Sequence, residues 1–307
     1  MNKAGLIFAV LAAVLWGTYG TFVTFLVGYG FSETAIAVFA PIGLIVFFLI
    51  AALINDRRSL ILSKKQFICM LAGGIIGVTG TNVLYAAALG TGFSVGMASV
   101  ITFANYFLVM IASRFIWKIK ITPAKIGAGI IALVGIALLL QIWTEMSFSS
   151  IGLILMICTA CTFAFAYIIT PIAFDFGAKP DSFYFWINLI GFIITCCVNP
   201  PWSVFSEVSS VYAAAGIIPI LLLLGLMLVP QFGSYFFLGR AMQKMEAPIV
   251  VIIFALDPIV SSILGFFFLD QTLNFIQILG MVIIIAGLVW LQLTELKEGK
   301  KLENPSN

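Results

Sequence analysis

The chain alternates long apolar runs with brief polar breaks. Splitting it at charges, proline pairs and glycine-rich breaks leaves ten runs, at approximately 4–28, 33–54, 67–89, 93–117, 123–143, 150–174, 181–199, 213–239, 246–269 and 272–294. Each is close to the ~20 residues a helix needs to cross ~30 Å of hydrocarbon. The apolar positions are continuous rather than alternating, so the pattern predicts helices and not a β-barrel. The connections are short and leave no room for an extramembrane domain. The first run, MNKAGLIFAVLAAVLWGTYGTFV, opens like a secretory signal but is too long for one. No small-residue cleavage site precedes a polar start, so it reads as a span.

Composition narrows the class. Of 307 residues, 63% are hydrophobic and 9% charged, against about 25% charged in soluble domains. A compact soluble fold has too little interior for so much apolar surface. The net charge of +3 gives no reason to expect a nucleic-acid partner. The chain has no His and five Cys, all in apolar runs. Cys158 and Cys161 have the spacing of half a zinc site, but no second cluster completes it, so packing is expected rather than a metal or a disulfide.

Basic residues set the orientation. With the N-terminus in the cytoplasm, all 15 Lys and Arg fall at the N-terminus, in even-numbered connections or in the tail: Lys3; Arg57, Arg58, Lys64 and Lys65; Arg114, Lys118, Lys120 and Lys125; Lys179; Arg240 and Lys244; Lys297, Lys300 and Lys301. The odd-numbered connections carry Glu33, Glu145, Glu207 and Asp270 instead. Both termini are therefore expected in the cytoplasm of a multi-pass cell-membrane protein.

The two halves resemble each other. KITPAKIGAGIIALVGIALLLQ, from Lys120, parallels QTLNFIQILGMVIIIAGLVWLQ, from Gln271. Aligning Gly135 with Gly287 pairs Lys118 with Asp270, Asn105 with Asp257 and Tyr106 with Pro258. GLIFAVLAAVLWGT parallels GLILMICTACTFAF, pairing Trp16 with Phe163. The expected units are residues 1–143, residues 144–294 and a cytoplasmic tail, 295–307. Five spans per unit is odd, so the second copy enters from the other face, an inverted-topology repeat of the kind that serves alternating access.

At APIVVIIFALDPIVSSILGFFFLDQTLNFIQILGMVIIIAGLVWL, residues 247–291, the chain resembles the drug/metabolite transporter superfamily, in particular its EamA-type members. The pattern is a small-residue helix with a central Pro, a Phe/Leu-rich exit, an acidic residue, a short turn and a Gly-bearing last helix. Asp270 stands where the family usually has Glu. In the first half Tyr106 replaces the expected Pro and Lys118 the acidic residue. LWGTYGTF around Trp16 and YAAALGTGFSVGMASVI from Tyr85 also fit. The resemblance implies a small-molecule carrier with a central cavity and names no substrate.

Polar and aromatic residues deep in the runs are the candidate substrate ligands: Trp16, Thr18, Tyr19, Asn82, Tyr85, Thr102, Asn105, Phe163, Tyr167, Tyr184, Asn188, Gln231, Tyr235 and Asp257. In hydrocarbon such groups need partners or water, so their faces should turn inward. Isolated Ser and Thr more often serve packing, as for Thr102. Gly73 with Gly77, and Gly92 with Gly96, have the spacing of close helix contacts. Pro258 lacks an N–H, so the Phe254 carbonyl is expected to lose its helical partner and to line the cavity. No Lys or Arg lies deep enough to pair with Asp257. It is then either a protonated acid bonded to a neighbour such as Asn105 or Tyr235, or a carboxylate whose partner comes and goes: a proton, a cation or a substrate ammonium.

The expected function is secondary active transport of a small polar metabolite, an amino acid or amine first, across the membrane by alternating access. The partners are then the substrate, membrane lipid and a coupling proton or cation. No Gly-rich phosphate loop calls for ATP or another cofactor. The alternatives are an integral membrane enzyme, which would want a His or a carboxylate cluster, and a non-transporting membrane protein, which would not need the repeat.

Overall fold

The computed structural model describes residues 2–144, 149–198 and 202–303. Among these residues nine helices are long and apolar enough to cross a membrane. They are α1 (Lys3–Gly28), α2 (Glu33–Leu60), α3 (Lys64–Gly90), α4 (Val95–Ile116), α6 (Ser150–Asp175), α7 (Pro180–Cys197), α9 (Ile218–Met242), α10 (Ala247–Phe268) and α11 (Phe275–Glu295). The fifth place belongs to a shorter apolar helix, α5 (Pro123–Leu139). The architecture is all-helical, with ten membrane helices in two repeated halves.

Several boundaries differ from the sequence reading, two of them with consequences for the fold. The fifth helix ends at Leu139 rather than near 143. The seventh connection is not a bare loop, because it holds α8 (Trp202–Ala215), and α9 starts at Ile218, not 213. In α8 the apolar residues recur at helical spacing but serve two surroundings. Val204 and Val211 are buried against α2 and α9, whereas Trp202, Phe205 and Tyr212 are exposed. Glu145 lies outside the described residues.

The repeat extends to individual backbone bonds. Around α1 and α6 the equivalent residues are 147 apart. Gly30 and Gly177 both take positive φ, at 101° and 81°. Phe31 N bonds Leu26 O as Ala178 N bonds Ala173 O. From α3 onward the separation is 152. Lys118 and Asp270 both have positive φ, 57° and 53°. Trp117 N and Ile119 N share Ser113 O, and Leu269 N and Gln271 N share Gly265 O. The step from 147 to 152 falls within the α7–α9 connection, where the second half has room for α8 and the first half has only the turn after Leu60.

Packing follows the same pseudo-symmetry. α1 lies against α9 as α6 lies against α3, and α10 lies against α1 as α4 lies against α6. α2 with α7, α4 with α10, and α5 with α11 pair across the axis. Small residues allow these approaches, as expected where lipid supplies no hydrophobic drive between helices. At the α5–α11 crossing a Cβ on Gly280 would stand 2.6 Å from Gly135 O. Gly73 and Gly77 admit Ile187 of α7 and Ala166 of α6. Gly92 is different. It sits between α3 and α4 with φ 79°, and a Cβ added there would meet nothing within 4 Å, so it is a turn residue and not half of a helix contact.

The Lys and Arg residues of the described chain gather at one end of the bundle, here the basic end. Several bonds tie the two halves there. Trp117 Nε1 donates to Asp175, Asn55 Nδ2 to Asp181, and Ser182 Oγ to Ser59 O. Lys125 pairs with Glu246 at 2.8 Å across the halves, and Arg240 pairs with Asp181 at 3.3 Å within the second half. At the opposite end Ser32 donates through N and Oγ to Glu207, at 3.0 and 2.9 Å, joining α2 to α8.

Candidate functional site

Helix irregularities converge on the middle of the bundle, and each has a local cause. In α10 the α-helix stops at Ile253, residues 254–256 tighten into a 3-10 turn, and helix resumes at Asp257 with Pro258 in its first turn. Proline fits there because first-turn N–H groups have no intrahelical acceptor. The turn also corrects one expectation. The Phe254 carbonyl is not free, since the Asp257 N–H bonds to it. The tighter i to i+3 pattern replaces the bond that Pro258 removes.

The equivalent break occurs in α4, at Ala104, and helix resumes at Asn105. Asn105 and Asp257 thus hold the same place in the two halves, even though Tyr106 stands where the second half has Pro258. Tyr106 is held by its own hydroxyl, which donates to Lys125 O at 2.8 Å. In α3 and α9 the middle turns widen to π-helix, Gly73–Gly80 and Met227–Gly233. Pro230 lies inside the second, where i to i+5 bonding accommodates its missing N–H. α1 is interrupted at Thr18, whose hydroxyl donates back to Leu15 O.

These breaks bring one set of side chains together. Trp16 stacks on Tyr19, centroids 5.9 Å apart and 10° between planes, and meets Tyr235 edge-on at 5.4 Å. Tyr235 meets Tyr184 at 5.2 Å, and Tyr184 meets Phe48. Tyr167 faces Phe254 at 6.3 Å and lies within electrostatic reach of both Tyr235 and Asp257. The cluster therefore draws on α1, α2, α6, α7, α9 and α10. The Asp257 carboxylate has no hydrogen bond or ion pair among the described residues, with Asn105 and Tyr235 included, and the residue is half-buried.

The other candidates lie in different surroundings. Asn105 is buried, 6% exposed, and its Oδ1 has no hydrogen-bond partner among the described residues; the Thr102 Oγ1 on the same helix has none there either. Asn188 donates to Tyr184 O of its own helix at 2.8 Å, so it is turned back on α7. Gln231 is buried in the π segment of α9. Tyr85 packs in a separate cluster with Ala88, Phe93, Ala98 and Met156. Asn82 is exposed and Phe163 half-buried. Beside Phe163, Thr162 accepts from Thr81. Three cysteines, Cys158, Cys161 and Cys197, are exposed on the bundle surface rather than packed inside, and all five are free.

Residues 3–141 and 150–293 each match the EamA-like transporter family. The chain belongs to this family. It is a membrane transporter of the drug/metabolite superfamily, and the two matched segments coincide with the two structural halves. A solved crystal structure of a protein, 14% identical, superposes with a TM-score of 0.76 over 96% of this chain and 98% of that one. At that identity the likeness shows the fold alone. Comparison with curated proteins gave no match.

For an EamA-like transporter the site has two further contributors that the sequence reading passed over. Phe254 supplies the ring opposite Tyr167. Gly17 lets α1 approach the α10 break, where a Cβ would stand 2.9 Å from Asp257 O. Gly17 adjoins Trp16, already a candidate, and that adjacency was the available signal. A separate polar cavity of about 460 Å³ opens at the basic end, lined by Asn55, Asp56, Lys179, Asp181, Arg240 and Gln243.

Proposed function

We propose that this EamA-like protein is a secondary active transporter that moves a small polar metabolite bearing an ammonium group, an amino acid or an amine, by alternating access. The observation that carries the reading is Asp257: a half-buried carboxylate at a helix break, without a hydrogen-bond or ion-pair partner among the described residues, beside Tyr167 and close to the Trp16–Tyr19–Tyr235 cluster. An unpaired charge at membrane depth costs roughly 2.5–3.5 kcal/mol on insertion scales. A substrate ammonium would offset that cost by pairing, and the faces of Trp16 and Tyr235 would add cation–π attraction. Asn105, at the equivalent place in the other half, offers a neutral acceptor for the substrate's polar remainder. Inverted halves of nearly equal energy are what alternating access requires. The exclusive placement of Lys and Arg at one end supports cytoplasmic termini in a cell membrane.

Purified protein in liposomes provides the test. Uptake of radiolabelled amino acids and amines is compared with uptake of neutral analogues of the same size, in wild type and in Asp257→Asn. Ammonium-bearing compounds should be carried by the wild type and should lose their advantage in the variant. Equal uptake of charged and neutral analogues by the wild type would overturn the assignment.

A further inference from the structure

We propose that Lys125, with Glu246, is a lock that holds the two halves together at the basic end and that must open once in each transport cycle; this rests on the alternating-access reading above. Lys125 is 3% exposed. Its Nζ lies 2.8 Å from Glu246 and 3.6 Å from Glu295, and it also donates to Lys120 O at 3.3 Å. The pair joins α5 of the first half to α10 of the second.

The repeat supplies what the pair alone does not. Lys125 is the third residue of α5, and its N–H bonds the cap residue Thr122. Gln277, 152 residues on, is the third residue of α11, and its N–H bonds the cap residue Asn274. Glu246 is the cap position of α10, and Ser94, 152 residues back, is the cap position of α4. Glu295 corresponds in the same way to Trp143. The opposite end therefore carries a neutral amide, a hydroxyl and an indole where the basic end carries a buried ammonium and two carboxylates. Among the described residues no bond joins Gln277 to Ser94; the Gln277 amide donates to Leu139 O at 3.4 Å instead.

Inverted halves exchange geometries when access alternates, so each end takes on the arrangement the other has just left. In the exchanged state Lys125 and Glu246 would stand as Gln277 and Ser94 stand here, without a mutual bond. The pair exists in one state only, and its opposite-end counterpart cannot replace it. An interaction present in one of two states shifts their populations by its full differential strength. Only the ammonium of this pair is buried, since the Glu246 side chain is 44% exposed, and the difference lies in leaving that buried Lys125 ammonium without its partner.

The experiment symmetrises the two ends. In a background with the native cysteines replaced, spin labels at Lys120 and Lys244 report the basic end. Labels at Gly90 and Thr272 report the opposite end. Lys120, Lys244 and Thr272 are exposed, and Gly90 has open space for a side chain. Distances are measured by pulsed electron paramagnetic resonance in liposomes without substrate, so the result does not depend on knowing the cargo. Lys125→Gln with Glu246→Ser copies the opposite end onto the basic end. It should raise the population with a longer basic-end distance by about tenfold, with a matching shorter distance at the opposite end. Gln277→Lys with Ser94→Glu installs the missing pair and should raise the population with a shorter opposite-end distance and a matching longer basic-end distance. If both variants fold, judged by a monodisperse elution profile, and neither moves either distance, the pair is a static staple and the proposal fails. Should the first variant not fold, the second alone decides, since its failure to shorten the opposite-end distance overturns the lock. A failed transport assay with shifted distances would instead count against the cargo assignment and leave the lock standing.

Discussion

Gly17 lies against the backbone of Asp257. A Cβ on Gly17 would stand 2.9 Å from the Asp257 carbonyl oxygen and 2.7 Å from Val260 Cβ. Neither can move easily, because one is main chain at a helix break and the other a β-branched stem. Gly17→Ala should therefore cost about 1–3 kcal/mol through overpacking and lower the thermal midpoint. Transport should fall further than stability, because the strain falls on the residue proposed to bind substrate. Gly20→Ala is the control: its nearest neighbour would be Ser261 Oγ at 3.5 Å, and both properties should survive.

Glu207 holds the N-terminal end of α2. Its carboxylate accepts from Ser32 N and Oγ, while Ser32 itself caps α2 by accepting from Ala35 N. Glu207→Ala removes two charge-assisted bonds and a negative charge near a helix N-terminus. The expected loss is about 1–2 kcal/mol, read as a lower midpoint in thermal unfolding. Phe205 on the same helix meets Phe39 of α2 at 5.6 Å and 90°, so Phe205→Ala should lower it further. An unchanged midpoint in both variants would mean that α8 does not brace α2.

The orientation is checked by single cysteines in a cysteine-free background. A probe at Glu207 should react with an impermeant reagent on intact cells, and probes at Lys64 or Lys120 only after permeabilisation. Reversed labelling would place the basic end outside.

The number of spans, their order and the pairing of Asn105 with Asp257 are legible in apolar run lengths and in weak similarity between halves. Those features depend on local composition and on the bilayer's thickness. Three others are not legible there. The helix α8 is hidden because its 14 residues are too few to span a bilayer and carry Ser and Glu among the apolar positions, so the stretch reads as a connection. The carbonyl of Phe254 looks free, because reasoning from Pro258 considers only α-helical bonding and not the 3-10 turn that satisfies it. Lys125 reads as a loop charge, though it is buried, because its partner Glu246 is distant in sequence and reaches it only through the packing of α5 on α10. Of the candidate ligands, Trp16, Tyr19, Tyr167, Tyr184, Tyr235 and Asp257 come together through helix breaks. Tyr85 lies in a cluster of its own, a difference that span-by-span depth cannot reveal.

Trp16 allows a test of how the site tells charged cargo from neutral. Its ring is stacked on Tyr19 and set edge-on to Tyr235. It is half-buried, so part of its surface remains available to a ligand. A cation over such a face gains about 0.5–2 kcal/mol, more as water is excluded, which corresponds to roughly 3- to 30-fold in affinity. Trp16→Phe keeps a π face and should cost little. Trp16→Leu keeps apolar bulk and removes the face. In liposome uptake the Leu variant should raise the KM for ammonium-bearing substrates by about that factor and leave neutral analogues of the same shape near their wild-type values. Asp257→Asn should act on the same charged compounds, and combining the two changes should give less than the sum of their effects, because both groups would contact one ammonium. Equal weakening of charged and neutral compounds by Trp16→Leu would assign the ring to packing alone, and strict additivity with Asp257→Asn would place the two residues in separate sites.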